Sequence, residues 1–566
     1  MKLRTKILCL VLLAIVVKGR SQDSMSKVTK EKSSDFKISG GISLGGEVYD
    51  VSGIQARRSP YSYNISGRVA LSYKGFTIPI SGSYRDAQFS YDYTFNRLGI
   101  APSYKWAKVY LGWNTMSFSP YTMAGRSFYG VGFELKPGLF TISGLKGKIQ
   151  NPLAIRDTLI DGASLIPIYD RYVQGGKLGF GKDRSKIEVI FLQIKDDENS
   201  FQYDKSYTTS YGYQQLTPRE NILLGINGGL TLFKKIDFFI NTGFSGFTAD
   251  QRDTLYLNYG DAAPDVAYDI FKANSSSSFS LAGDGGVNIR IGTGKLGLKY
   301  RRVDPFYTTL ASNYFVNDVQ QYTFTGGVGL WQRKIRLDGQ FGVEENNLTG
   351  KRTNTTERLI GNANLNFYPS DKFYATLTFS NFQTSSENQV LQLDDTLRFV
   401  SVSNQYGLST SYMPEISNKT MTINLSAFYN TVSDQSEIQQ VGDIKILSLN
   451  LSNNVGIKAL DLTVGGSLNF NQYDYSNKQQ NRYGFGLRAT KRFLEKKLSI
   501  NGSANFSINE YDGLSDGQNQ TYQMSVAYKT SKKSTLSFNL SHRVVESLVN
   551  NSFDESRGLM RYGLNF

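Results

Sequence analysis

The sequence predicts an all-β protein, a transmembrane up-and-down antiparallel β-barrel of about 26 strands without a plug domain. Three observations predict it. Side-chain polarity alternates with a period of two from residue 36 to residue 566. Short turns alternate with longer polar connections over the same length. The N-terminus is basic and then apolar, as an export signal is.

In chain order, Lys2, Arg4 and Lys6 precede the apolar run Ile7 to Val17, which is too short to cross a bilayer as a helix and fits the h-region of a secretory signal. Residues 1–21 are therefore expected to be a signal peptide, cleaved near Gly19 to Gln22. Residues 22–35 are expected to form a short periplasmic N-terminal segment, and 36–566 the outer-membrane barrel. Cys9 lies inside the apolar run rather than after it, so lipidation is not expected. No later stretch reaches the 18 apolar residues that a membrane helix would need.

Composition agrees. One Cys and one His among 566 residues exclude a disulfide scaffold and a Cys/His metal site. Aromatic residues make up 13% of the chain, too many for a disordered polymer. Mean hydropathy is −0.34, as expected when only one strand face in two meets lipid.

The strands show themselves in segments such as Leu498, Ile500, Gly502, Ala504, Phe506 and Ile508, alternating with Ser499, Asn501, Ser503, Asn505 and Ser507. The same pattern runs Leu460, Leu462, Val464, Gly466, Leu468, Phe470, and Met421, Ile423, Leu425, Ala427, Tyr429. Successive strand side chains point to opposite faces, so each segment has one greasy and one wet face. These segments exceed the usual soluble strand of about five or six residues and match the 9–11 a tilted strand needs to cross a bilayer.

Very short connections fall at Lys74-Gly75, Lys136-Pro137-Gly138, Lys234-Lys235, Gln332-Arg333, Leu494 to Lys497 and Thr530 to Lys533, among others. Longer ones fall at 49–60, 151–171, 197–219, 249–278 and 385–403. Periplasmic turns and extracellular loops alternate in this way. The strands read from 36–48 to 556–566, the fourth at 87–97 and the fifth at 105–119, with both chain ends on the short-turn side. The count drops to about 24 if 87–97, 105–119 or the opening strand is misassigned. A soluble sandwich would need edge protection and linkers, and a propeller a repeated blade motif; neither is visible. A sheet in lipid must close.

The C-terminus Arg561-Tyr562-Gly563-Leu564-Asn565-Phe566 ends in Phe with apolar residues at Tyr562, Leu564 and Phe566. It resembles the terminal assembly signal of bacterial outer-membrane barrels, which implies the barrel-insertion machinery as a partner. The signal peptide and the Tyr/Asn/Gly-rich strands resemble uncharacterised outer-membrane barrels of the Bacteroidota. The stretch Ser117-Phe118-Ser119-Pro120-Tyr121-Thr122-Met123-Ala124-Gly125 resembles them more loosely. The resemblance implies location, integral in the cell outer membrane among its lipids, and fold. It says little about activity.

His542, the only histidine, continues the apolar register of Leu536, Phe538 and Leu540, so it is expected to face lipid near the extracellular rim, with Ser541 on the opposite face. Outer-membrane phospholipases carry a lipid-facing Ser-His-Asn site, but an interfacial His is the simpler expectation. The glycine pairs lack the Lys-Ser/Thr and the helix of a phosphate loop. Asp196-Asp197-Glu198, Asp253 with Asp261, and Asp394-Asp395 are expected on extracellular loops, as solvated charge or a divalent-cation site. The net charge of +15 falls largely on turn lysines, and no stripe suits nucleic acid. Tyr and Phe fit interfacial girdles.

No catalytic, cofactor or metal residue is assigned. The leading expectation is a channel or transporter for solutes or polymers. The alternative is a non-enzymatic subunit of a secretion or envelope-biogenesis complex with a protein partner in the lumen or on the loops. A minor alternative is a phospholipase-like enzyme. A barrel this wide needs something to fill or gate it, and residues 22–35 are too short to do so.

Overall fold

The computed structural model describes residues 36–566 except 87–96, 152–167, 201–205, 210–211, 257–270, 313–315, 351–356, 387–398, 435–442, 476–477 and 549–550. Residues 1–35, with the expected signal peptide and N-terminal segment, lie outside the described residues. One antiparallel sheet holds 28 hydrogen-bonded segments, each paired to its neighbours in chain order. Two of them, Ser103–Tyr104 and Glu415–Ile416, continue the preceding strand past an irregularity, which leaves 26 spanning strands. Phe36–Ser52 pairs with Tyr61–Tyr73 on one side and with the last strand, Phe553–Asn565, on the other. The seam runs from Gly41 opposite Asn565 to Ser52 opposite Asp554, so no edge is left to pair with another chain.

The turn chemistry is that of tight hairpins. Lys74 and Gly75, between Tyr61–Tyr73 and Phe76–Arg85, take φ of 46° and 83°, the left-handed pair whose twist matches the flanking strands. The first strand starts opposite Tyr73 and the last ends beside Lys533, so both lie at the short-turn end, the periplasmic end of such barrels.

Two expectations need correction. The fourth strand is not 87–97 but Arg97–Ile100 continued by Ser103–Tyr104, with its turn at Lys105-Trp106. The alternation of Phe89, Tyr91, Tyr93 and Phe95 reads as a strand in the sequence, and Ile80–Ser83 takes Arg97–Ile100 as its partner. Residues 87–96 lie outside the described residues. Also, two of the connections opposite the short turns are shorter than the alternation of short and longer connections predicts. Leu462–Tyr475 pairs with Lys478–Phe493 up to Tyr475–Lys478, and Leu498–Tyr511 turns at Asp512-Gly513 into Leu514–Ser531. Beyond the hydrocarbon a strand needs no apolar face, so these strands continue into water with polar sequence.

The outward face carries the apolar register. Leu178 is 63% and Leu468 61% exposed, as lipid-facing side chains are when lipid is absent. Aromatic pairs cross between strands, Phe485–Phe506 at 5.1 Å and Phe379–Tyr406 at 5.2 Å. Trp106 and Trp331 stand at the short-turn end and Tyr61 at the other, where girdles belong.

The inward face differs between two sectors. From Lys419–Asp434 to Ser534–Val545 it is polar: Ser448, Asn450, Ser452 and Asn454 lie opposite or beside Ser467, Asn469 and Asn471, half-buried or exposed. From Ala107–Met116 to Val319–Leu330 it holds a buried apolar core, with Phe128, Ile190, Leu192, Ile194 and Leu223 inaccessible to solvent.

Candidate functional site

The apolar core inside the barrel exists because two extracellular connections fold into the lumen. Residues 117–125 join Ala107–Met116 to Arg126–Leu135, and residues 304–312 follow Gly294–Val303. The first turns on its own side chains. Ser119 Oγ accepts from the backbone N–H groups of Tyr121 and Thr122, both at 3.2 Å, and Phe118 N–H donates to Met123 O at 2.9 Å. Gly125, with φ of 61°, reverses the chain back to the wall and donates to Ser117 Oγ.

Phe118, Met123, Leu310 and Ala311 are buried against Ile190, Leu192 and Leu223, and Tyr121 and Tyr307 against Val303 and Val319. Each large apolar side chain so buried contributes about 1.5–3 kcal/mol. The two segments are also tied together. The Tyr307 hydroxyl donates to Tyr121 O, and Thr309 Oγ1 donates to Thr122 O at 2.7 Å. Burial pushes both the Tyr121 and Tyr307 phenols up from their ordinary value, so each stays protonated through the physiological range.

Wall residues hold the loops at depth. Asn221 Oδ1 accepts from Leu310 N–H at 3.1 Å, while its Nδ2 donates to Ser245 Oγ at 2.8 Å and Gly246 O at 2.9 Å. Asn227 Nδ2 donates to Phe118 O at 3.2 Å, well along Glu220–Leu232 towards the periplasmic end. Two glycines make room. A Cβ on Gly225 would meet Thr122 Cγ2 at 2.9 Å, and one on Gly243 would meet the Tyr307 hydroxyl at 2.5 Å. The expectation that the chain supplies little to fill its lumen is thus corrected: the filling is two loops rather than a domain. The sequence did carry a signal for it. Ile187 to Ile194 reads Ile-Glu-Val-Ile-Phe-Leu-Gln-Ile, and its near-continuous apolar run marks a strand buried on both faces.

The other candidates fall elsewhere. His542 faces outward as expected. Nδ1 lies 2.9 Å from Ser556 Oγ on the neighbouring strand, and Asp50 pairs on the far side of Ser556. A hydrolytic triad needs the imidazole between nucleophile and acid. Here the serine is in the middle, and the local backbone N–H groups lie in strands paired on both sides.

Asp196 is not a cation ligand. Its carboxylate takes a fork from Arg171, Nε at 2.6 Å and Nη2 at 3.1 Å, and accepts from Arg219 N–H at 3.1 Å. Both side chains are buried, so Asp196→Ala is expected to cost about 3–5 kcal/mol by stranding the guanidinium. A thermal melt of the folded barrel checks this, and an unchanged midpoint would contradict it. Asp253 accepts from Leu255 N–H at 2.9 Å and from Ser275, which hold its carboxyl below the usual range. Asp261, Asp394 and Asp395 lie outside the described residues. Among the described residues no group of three or more His, Cys, Asp or Glu could hold a metal.

At the seam, Tyr562 pairs with Leu44 and Leu536, Leu564 with Ile42 and Ser534, and Phe566 N–H donates to Gly40 O at 3.0 Å.

No protein-family model and no curated protein matches this chain. Among solved structures it is similar to the P pilus usher (PapC) translocation pore, with 10% identity and a TM-score of 0.38 over 94% of this chain and 100% of that one. It is similar to the FrpB iron transporter from Neisseria meningitidis, with 12% identity and a TM-score of 0.39 over 93% and 82%. The third is OccK11 from Pseudomonas aeruginosa, with 9% identity and a TM-score of 0.33 over 94% and 96%. Likeness this distant carries no argument, and the barrel rests on its own hydrogen bonds. A closed antiparallel sheet with an apolar outer band is an integral outer-membrane β-barrel protein.

Proposed function

We propose that the chain is a wide outer-membrane channel for hydrophilic solutes, narrowed from one side by its own loops. The observation that carries this reading is the contrast across the lumen. One sector of the inner wall is covered by residues 117–125 and 304–312, while another presents Ser and Asn side chains to the interior. Amide and hydroxyl groups exchange hydrogen bonds with water and with polar solutes alike, so such a wall wets a path without selecting strongly by charge. The loops also take the place on their sector of the wall that a luminal protein partner would need. The test is conductance of the purified barrel in planar bilayers. Steady unitary steps support the channel. Silence, with a protein partner retained through purification, would favour the assembly-subunit reading instead.

Residues 1–21 are proposed to direct export, with the barrel beginning at residue 36. Tyr562, Leu564 and Phe566 are proposed to be read by the barrel-insertion machinery. Deleting Phe566 is expected to lower the folded, heat-modifiable form in outer membranes severalfold while leaving total synthesis unchanged. Equal amounts of folded barrel with and without Phe566 would rule out that role.

A further inference from the structure

Beneath the inward-folded loop, at the periplasmic end, lies a cavity of about 1090 Å³. Phe118 and Pro120 form its roof, and the turns at Asp183-Arg184, Gly292-Thr293 and Arg333 frame its mouth. Its lining holds seven Lys and Arg side chains against four carboxylates. The pairing within it leaves positive charge over. Asp237 accepts from both Arg184 and Arg290, each at 2.8 Å. Glu188 is shared by Lys177 at 3.2 Å and Lys186 at 3.0 Å. Arg336 has its own acid, Asp338. Lys295 and Arg333 have no carboxylate within ion-pair distance among the described residues.

Arg184 and Arg333 sit in the turns, and the other charged side chains come from strands adjacent in the sheet at one height, as the register places Asp237 opposite Asn288, Arg290 opposite Lys295 and Gly327 opposite Asp338. A cleft with a net positive charge, walled by protein rather than water, focuses the field and concentrates counter-ions. Guanidinium forks suit the flat oxygen pairs of phosphate and carboxylate.

We infer that this vestibule is a binding site, open to the periplasm, for a compact polyanion carrying two or more phosphate or carboxylate groups. Lys295 and Arg333 supply the charge that the ligand neutralises, and the doubly shared Asp237 and Glu188 keep the surrounding cations in place. The inference goes beyond conduction and does not need an open pore.

The test is calorimetric titration of the full barrel in detergent micelles, first with inorganic pyrophosphate and separately with citrate. Saturable binding of either is expected, falling with added salt, and weakened tenfold or more in the Lys295→Gln/Arg333→Gln variant. The tighter of the two probes tells phosphate from carboxylate chemistry. Lys295→Arg/Arg333→Lys, which keeps the charge, is expected to retain binding, and an unchanged melting midpoint shows that both variants are folded. No saturable binding of either probe, or equal affinity in the wild type and the charge-removed variant, would overturn the inference. A barrel that binds pyrophosphate but is silent in bilayers would refute the channel reading alone.

Discussion

Replacing residues 118–124 with a short Gly-Ser linker is expected to raise unitary conductance roughly twofold, because the loop occupies part of the lumen of a barrel wide enough for an aqueous path. The expectation follows from where the loop sits. Phe118 and Met123 are buried against Ile190, Leu192 and Leu223, which face the lumen and not the lipid. Removing the loop opens the space it fills and exposes that apolar wall to water. A lower melting midpoint is therefore expected alongside the larger steps. Equal conductance before and after would mean that the loop does not limit the path.

The second large effect is expected at Asn221. Its side chain accepts from Leu310 N–H and donates to Ser245 Oγ and Gly246 O, at a position with no solvent access. Asn221→Leu strands the Leu310 N–H in an apolar setting and takes a donor from Gly246 O, at about 1–3 kcal/mol for each group left unpaired, while Ser245 Oγ keeps its bond to Thr308 O at 2.6 Å. The barrel is expected to melt earlier, and residues 304–312 to become accessible to protease from the outside. Asn221→Asp retains the acceptor for Leu310 and is expected to fall between the two. A fully protected loop in Asn221→Leu would show that this hub is not what seats it.

Much of the architecture was legible because lipid imposes a strict rule on each strand. Leu498 to Ile508 can only be greasy on one face and wet on the other, and the register pairs it as that rule requires. The rule lapses outside the hydrocarbon, and one misreading lies there. Asp512-Gly513 is a strong hairpin signal, with φ of 49° and 77°, but it sits in polar sequence that reads as a loop. The aromatic alternation of Phe89 to Phe95 drew the fourth strand away from Arg97. The luminal site was harder still to see, because its parts are distant in sequence. Nothing local says that Tyr307 meets Tyr121, or that Gly243 is small to admit them. What was readable is the lapse of alternation in Ile187 to Ile194 and again in Ile222-Leu223-Leu224, which signals an apolar interior and therefore something to cover it. The stretch 117–125, noticed only for its resemblance, supplies that cover.

The account turns on residues 117–125 lying inside the barrel against Glu220–Leu232, and a disulfide measures that directly. In a Cys9→Ser background, Thr122→Cys can put its sulfur at the Thr122 Cγ2 position, 2.9 Å from where the Cβ of Gly225→Cys would stand, close enough for the second sulfur to bridge the two. Thr122→Cys with Ser525→Cys, on the far inner wall, is the control. The prediction is an intramolecular disulfide in the first pair, formed in intact outer membranes and identified by mass spectrometry, and none in the control. A free thiol pair at 122 and 225 in a folded barrel, or equal cross-linking to Ser525→Cys, would contradict it.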